Sequence, residues 1–342
     1  MALSRQDLIV LAKTVANANP SSQVAYSFGE EKFSYADLND TLREELNNLI
    51  GDYSLFRENK LTLFKLMEQT IDDVLPKKVM EQYGQFAEIK TFGQGDRPVF
   101  VQKITTASKR RAKQFITKVG LAGVYEVFKL DGKSYEVATS AFGGAAQIGL
   151  EEFLDGRVDF SVLVDIVMEG LDECVYLEIE RALKAAVNEL QPANYHEDVT
   201  FVETEMDKLI SVADSYGQST IYCTYEFAAT MVPAEGWVSD SMKDQIWNNG
   251  YLANYKGHRV IVLAQSYEDE TNAKKVIDPS YAWIIPTGAE KPVKVAFEGA
   301  TLVRDVENAD WSREIQVYKK MGVGAIITNN ICVYRNTSLT QE

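Results

Sequence analysis

Histidine is almost missing from this chain, with His196 and His258 the only two in 342 residues. General acid-base and nucleophilic catalysis usually recruit an imidazole, so most hydrolase and transferase constellations lack their members here. His196 lies in the polar run Asn194 to Asp198 and His258 follows a glycine at a strand start, so both read as surface or hydrogen-bonded residues. Cysteine is equally sparse. Cys174, Cys223 and Cys332 are an odd set with no CxxC spacing and no histidine at metal-ligand distance, which excludes a disulfide framework and a zinc site and leaves reduced core thiols. No run approaches the roughly 18 apolar residues of a membrane span. The stretch Leu8 to Ala12 follows Asp7 and is broken by Lys13, too short for a secretory signal. The sequons at Asn39 and Asn336 then carry no expectation of glycosylation, and a soluble protein of a reducing compartment is expected. Basic residues are in deficit: 35 against 50 acids give a net charge of -15, the wrong sign for a dedicated nucleic-acid binder.

Recognised chemical motifs are absent too. There is no GxxxxGK phosphate loop, GxSxG elbow or HExxH helix. The glycine-rich segment Phe142 to Gly149 has neither the lysine nor the strand-helix context of a nucleotide loop, so no cofactor is expected. Acidic neighbours such as Asp72-Asp73 and Glu151-Glu152 point in different directions on a helix and read as solvated faces. An enzyme would have to work through glutamates, and nothing in the sequence supports one.

What the chain does have is length and apolar content. Hydrophobic residues at 46% and charged residues at 25% are ordinary for a globular protein, and 342 residues suffice for a large core. A short amphipathic helix is predicted from Ser4, ended by the polar break around Pro20 and leaving a mobile or partner-dependent arm. Ser34 with Asp37 three residues on predicts a helix start, Leu38, Leu42, Leu46 and Leu49 supply its apolar face, and Gly51 its stop. A third helix is predicted from about Lys60 to Leu75, before Pro76. Strand-like alternation then runs to about Phe142, and Asp131-Gly132 between Val124 to Phe128 and Tyr135 to Ala138 predicts a tight hairpin that cannot bury its own faces.

From Asp159 to Leu190 apolar residues recur at helical spacing without a proline, predicting a helix of about 48 Å with Gly170 inside it. Beyond Pro192 helix and strand alternate: Glu205 to Tyr216 helical, Thr220 to Thr230 extended, Ser239 to Asn249 helical with Gly250 as stop, and Arg259 to Leu263 extended. The end of the chain reads as strands over Ala282 to Ile285, Val293 to Phe297, Thr301 to Val306, Arg313 to Met321 and Ala325 to Tyr334. The class is α+β, and no repeat of 20 to 50 residues is present.

One segment runs against the overall charge. Arg97, Lys103, Lys109, Arg110, Arg111, Lys113 and Lys118 fall together with no acid between them. Such a positive protrusion on a negative body suits self-association through complementary surfaces, a solvated basic loop, or contact with nucleic acid. A second cluster, Trp237, Trp247, Tyr251 and Tyr255, holds residue types enriched at interfaces, with ordinary packing as the other reading.

The order of these parts resembles the major capsid protein family of tailed bacteriophages, with the Hong Kong 97 fold. The segments that carry the likeness are Gly257 to Leu263, Ile284 to Gly288, Pro292 to Gly299 and Tyr318 to Ile327, in order behind a long helix. The resemblance implies an N-terminal arm over 1–33, peripheral helices over 34–90, an extended loop over 91–146, a spine helix region over 147–198, an axial domain over 199–288 and closing peripheral strands over 289–342. It implies a non-enzymatic shell subunit, without cofactor or metal, forming hexamers and pentamers of an icosahedral virion around double-stranded DNA that it does not read by sequence. Assembly in the bacterial host cytoplasm, without a membrane, goes with it. The basic stretch, the Asp131-Gly132 hairpin and the aromatic cluster become expected intersubunit contacts. The portal and a separate scaffolding protein are implied partners, since about 30 residues before the first strong helix leave little room for a built-in scaffold, and a decoration protein is a further candidate. No Lys and Asn pair matches the cross-link of some relatives. An encapsulin-type compartment shares the fold and remains the alternative, with a soluble enzyme behind it.

Overall fold

A computed structural model describes residues 5–17, 26–28, 31–50, 53–101, 134–148, 160–232, 239–263, 265, 267, 271–286, 291–307, 313–326 and 330–340. Its helices are α1 (Arg5–Asn17), α2 (Tyr35–Ile50), α3 (Tyr53–Tyr83), α4 (Phe160–Val187), α5 (Glu203–Asp214), α6 (Tyr225–Thr230) and α7 (Asp240–Asn249). Its strands are β1 (Tyr26–Phe28), β2 (Glu31–Phe33), β3 (Ala87–Phe92), β4 (Val99–Val101), β5 (Ser134–Glu136), β6 (Ser140–Ile148), β7 (Tyr195–Asp198), β8 (Ser219–Cys223), β9 (Asn254–Tyr255), β10 (His258–Val262), β11 (Tyr281–Pro286), β12 (Val293–Glu307), β13 (Arg313–Ala325) and β14 (Cys332–Asn336). The chain divides into two compact units: 1–98, 137–175 and 295–323 form one, and 99–136, 176–294 and 324–342 the other.

In the first unit, α1, α2 and α3 pack on one another through aliphatic side chains. Leu8, Leu11, Ala12 and Val15 of α1 are buried, as are Leu38, Leu42 and Leu46 of α2. The first helix, expected as part of a loose arm, is therefore a core element over its described length. The start of α2 is a reciprocal cap: the Ser34 N–H and hydroxyl donate to Asp37 Oδ2, and Asp37 N–H donates to Ser34 Oγ. Helix α3 overturns the expected stop at Pro76. It continues to Tyr83 because apolar residues on both sides of the proline, including Ile71, Val74, Leu75, Val79 and Tyr83, are buried, and that gain outweighs one lost backbone bond.

The sheet of this unit has the order β3-β12-β13-β6, and β13 pairs antiparallel with β6 from Arg313↔Ile148 to Met321↔Ser140. Two expected breaks fall inside its strands. Gly299 takes φ +68, a conformation that costs glycine little, and β12 passes through it. Gly322 lies within β13, where a Cβ would come within 2.2 Å of Ala138 O, so its role is close approach of two backbones.

The second unit is built on a mixed sheet of order β7-β14-β11-β8-β10-β9. Strand β10 runs parallel to β8 and β14 parallel to β7, with β11 antiparallel between β14 and β8. Its core joins Met206, Leu209 and Ala213 of α5 to Ile221, Phe227, Val260, Ile284 and Tyr334. Residues 225–230, expected as extended, are helical because Thr224 caps them, its hydroxyl accepting from Phe227 N–H, and Phe227 and Ala228 turn into the core. Ser239 caps α7 in the same way, and Gly250 ends it at φ +79. The long helix α4 contributes residues to both units; its 28 described residues span about 42 Å and end at Val187, short of the expected Leu190.

Candidate assembly interface

The expected contact residues divide three ways. Lys103, Lys109, Arg110, Arg111, Lys113, Lys118, Asp131, Gly132 and Trp237 lie outside the described residues, together with the strand expected over Val124 to Phe128. Arg97, Trp247 and Tyr251 are at or near the surface. Tyr255 is only 5% exposed and sits in the core of the second unit, so it is a packing residue and not a contact. Burial drives its phenol well above the usual tyrosine range.

The described part of the extended loop is its base. Val99–Val101 pairs antiparallel with Ser134–Glu136, so the segment between them leaves and returns on neighbouring strands. Phe100 is fully buried, with Lys294 Nζ 5.9 Å from its ring centroid, and anchors this ribbon. Val99 and Val101 point the other way and are 37% and 57% exposed. A two-stranded ribbon showing aliphatic residues to solvent has not completed its burial. Arg97, exposed beside the buried Pro98, opens the basic stretch at the foot of the ribbon.

On the second unit the outstanding surface residue is Trp247, 89% exposed on a helix that buries none of its residues. Tyr251 meets Tyr225 edge-to-face at 6.2 Å, and Tyr225 is itself half exposed. Gly250 is required between them, because a Cβ there would come within 2.0 Å of Tyr225 Oη. Tyr251, in the turn after α7, and Tyr225 of α6 thus form an aromatic pair, and Trp247 precedes that turn in sequence.

Groups able to do chemistry are tied up in structure. His258 Nδ1 lies 3.0 Å from Ser219 Oγ, and His196 packs on the Tyr334 ring with centroids 5.4 Å apart. Burial pushes the Cys223 and Cys332 thiols up to about 12, which keeps them as unreactive thiols, while Cys174 is only half buried. Among the described residues no cluster of His, Cys, Asp and Glu could hold a metal ion, and no described helix is long and apolar enough to cross a membrane.

Sequence reasoning missed the ion pair that ties the first unit together. Lys319, with a side chain 2% exposed, donates to Asp72 Oδ1 at 2.5 Å and to Gly299 O at 2.9 Å. Asp72 also accepts from Thr301 N–H and hydroxyl, and Glu68 Oε1 accepts from Val303 N–H, so two carboxylates of α3 receive backbone donors of β12. The available signal was Lys319 itself, which shares the inward parity of Val317 and Met321. The acids Asp72-Asp73, expected to be solvated, are instead engaged, Asp73 by Lys13.

A known family covers almost the whole of this arrangement. Residues 9–334 match the family described as "SPbeta prophage-derived putative capsid protein YonB". The chain belongs to that capsid protein family. No curated protein sequence matches it. Among solved structures, the capsid of a native GTA particle is similar at a TM-score of 0.50 and 11% identity, covering 75% of this chain and 90% of that one. The capsid of Helicobacter pylori bacteriophage KHP30 is similar at 0.48 and 14%, covering 74% and 91%. The holo-SrpI encapsulin complex from Synechococcus elongatus is similar at 0.45 and 10%, covering 78% and 90%. The fold is thus that of the phage major capsid proteins, of the Hong Kong 97 type. As a capsid protein the chain is a shell-forming structural subunit that associates with copies of itself, and its place is the virion capsid.

Proposed function

We propose that the chain assembles into hexamers and pentamers of an icosahedral shell enclosing phage double-stranded DNA. The observation that carries this reading is the family match across residues 9–334. The open ribbon at Val99–Val101 and the 89% exposed Trp247 support it, because both carry apolar surface whose burial needs a partner. In this reading residues 1–33 are the N-terminal arm, with α1 held against α2 and α3 of its own subunit, 34–90 peripheral helices, 91–146 the extended loop, 147–198 the spine region, 199–288 the axial domain and 289–342 the closing strands. The contact set is Arg97, Lys103, Lys109, Arg110, Arg111, Lys113, Lys118, the Asp131-Gly132 turn, Trp237, Trp247 and Tyr251. The seven bases meet the acidic body of a neighbour, since a chain of net charge -15 offers the opposite sign there. The same negative balance keeps packaged DNA from adhering to the wall, so DNA is held by geometry and not by sequence.

Assembly takes place in the host cytoplasm with a separate scaffolding protein and a portal, a decoration protein joining where one is encoded, and the subunit itself performs no catalysis. Expression with and without a scaffolding partner, followed by analysis of particle contents, tests the proposal. Nuclease-sensitive nucleic acid inside shells formed during phage growth is the expected result. Shells filled with protein cargo instead would assign the chain to encapsulin-type compartments.

A further inference from the structure

In the four-stranded sheet of order β3-β12-β13-β6, three strand spacings, roughly 14 Å, separate the outer strands β3 and β6, which do not pair with each other. The chain nevertheless leaves the sheet after β3 and rejoins it at β6, with the ribbon of Val99–Val101 and Ser134–Glu136 in between. Residues 93–98 lead out and residues 137–139 lead back, and both segments belong with the sheet to the first unit. Where that excursion begins, two strands without a common ladder have to be drawn together.

Glu298 of β12 makes the junction. It is a buried carboxylate, 7% exposed, and both of its oxygens are occupied. Oε1 accepts from the Gly95 N–H at 3.2 Å, on the outgoing segment, and Oε2 accepts from the Thr139 hydroxyl, on the returning one. Lys320 Nζ lies 3.4 Å from Oε1 and supplies the countercharge. The Thr139 hydroxyl, then the Gly95 N–H, and Lys320 after them hold the carboxyl below its ordinary range against the opposing effect of burial, so the group is charged at neutral pH. Hydrogen bonds to an ionised acceptor are the strong ones, and here they come from two segments that share no strand pairing. Each segment also lies close on the sheet backbone. A Cβ at Gly299 would come within 3.3 Å of Gln94 Cβ, and Ala138 O lies against Gly322. The Val137 N–H donates to Pro98 O at 2.9 Å and completes the closure.

We propose that Glu298 is a positioning residue for shell assembly, its carboxylate tying segment 93–98 to segment 137–139 so that the chain leaves and rejoins the sheet at a closed foot. The inference deepens the shell reading and rests on it, because it takes 91–146 as the extended loop. The ribbon that springs from this foot carries the exposed Val99 and Val101. A foot already fixed in the free subunit leaves less conformational freedom to lose when a neighbour docks.

Variants on opposite sides of the junction separate such a latch from ordinary packing. Thr139→Val keeps the side-chain shape and removes the hydroxyl donor, Thr139→Ser restores the donor, and Glu298→Ala removes the acceptor. In the unassembled full-length chain, exchange of the Gly95 amide should speed at least about tenfold in Thr139→Val, although the substitution lies on the other segment, while amides of α2 keep their wild-type rates. Glu298→Ala should do the same, and Thr139→Ser should match wild type. Incorporation into shells, read by sedimentation, should fall at least about fivefold in Thr139→Val and Glu298→Ala and stay at the wild-type level in Thr139→Ser. Should Glu298→Ala be poorly folded, the two Thr139 variants decide the matter by themselves. A Gly95 amide that ignores Thr139→Val overturns the proposal, and so does wild-type assembly by that variant. Shells formed equally by wild type and Thr139→Val sink this inference alone, whereas a wild-type chain that forms no shells sinks the shell reading and this inference with it.

Discussion

Neutralising Asp72 should cost the first unit on the order of 3 kcal/mol. Its partner Lys319 is almost wholly enclosed, with a side chain 2% exposed, and otherwise donates to Gly299 O at 2.9 Å. Removing one member of a buried ion pair typically costs about 3–5 kcal/mol, because the remaining charge stays desolvated. Asp72 keeps 27% of its side-chain exposure, so water can reach the vacated carboxylate position and the lower end of that range applies. Asp72→Asn is the informative change. The amide oxygen in the Oδ1 position still accepts from Thr301 N–H and hydroxyl, while the charge and the second, 3.1 Å contact of Thr301 N–H to Oδ2 are lost. At about 2–4 °C per kcal/mol for a unit of this size, the unfolding midpoint of the unassembled subunit should fall by roughly 10 °C. Pairing the change with Lys319→Met removes the stranded charge while retaining an apolar stem of similar length, and should recover at least about 2 kcal/mol. A drop below about 1 kcal/mol in the single variant, or a double variant no more stable than the single, would refute the assignment of Asp72 and Lys319 as a coupled buried pair.

Other expectations are shorter. Burial raises the Asp172 carboxyl above its ordinary range against the pull of Lys78 at 3.9 Å, and Asp172 Oδ1 has no hydrogen-bond partner. A carboxyl raised on folding binds its proton more tightly in the native state, so its contribution is fully present below the unfolded value of 3.8 and is lost as pH rises through the raised value. Asp172→Asn should therefore be neutral or stabilising at pH 7, with its advantage over wild type fading on acidification; thermal unfolding across pH 3 to 8 checks this, and a variant less stable than wild type at pH 7 contradicts it. Arg110→Glu with Arg111→Glu, and separately Trp247→Ala, should leave the subunit folded by circular dichroism yet depress shell formation by light scattering. Unchanged assembly would mean that the basic stretch is merely solvated, or that the exposed indole has no partner.

Local signals were legible in the sequence, and distant ones were not. Ser34 with Asp37 and Gly250 act within a few residues, and their caps are where the spacing put them. Pro76 and Glu298-Gly299 misled because a local break is decided by tertiary burial: apolar residues on both sides of the proline hold α3 together, and Gly299 absorbs a positive φ inside β12. The pair Asp72 and Lys319 joins residues 247 positions apart, and only the inward parity of a lysine hinted at it. Among the aromatic candidates, residue type could not separate Trp247 from Tyr255, since exposure depends on whether the chain turns toward the core after Gly250. That Ser140–Ile148 forms a strand of the four-stranded sheet depends on its pairing with the distant β13, which no local signal could reveal.

Electron microscopy of the chain co-expressed with its scaffolding partner tests the central claim most directly. The account predicts closed icosahedral particles with hexameric and pentameric capsomers built from this subunit. Protein that stays monomeric under every assembly condition would contradict it.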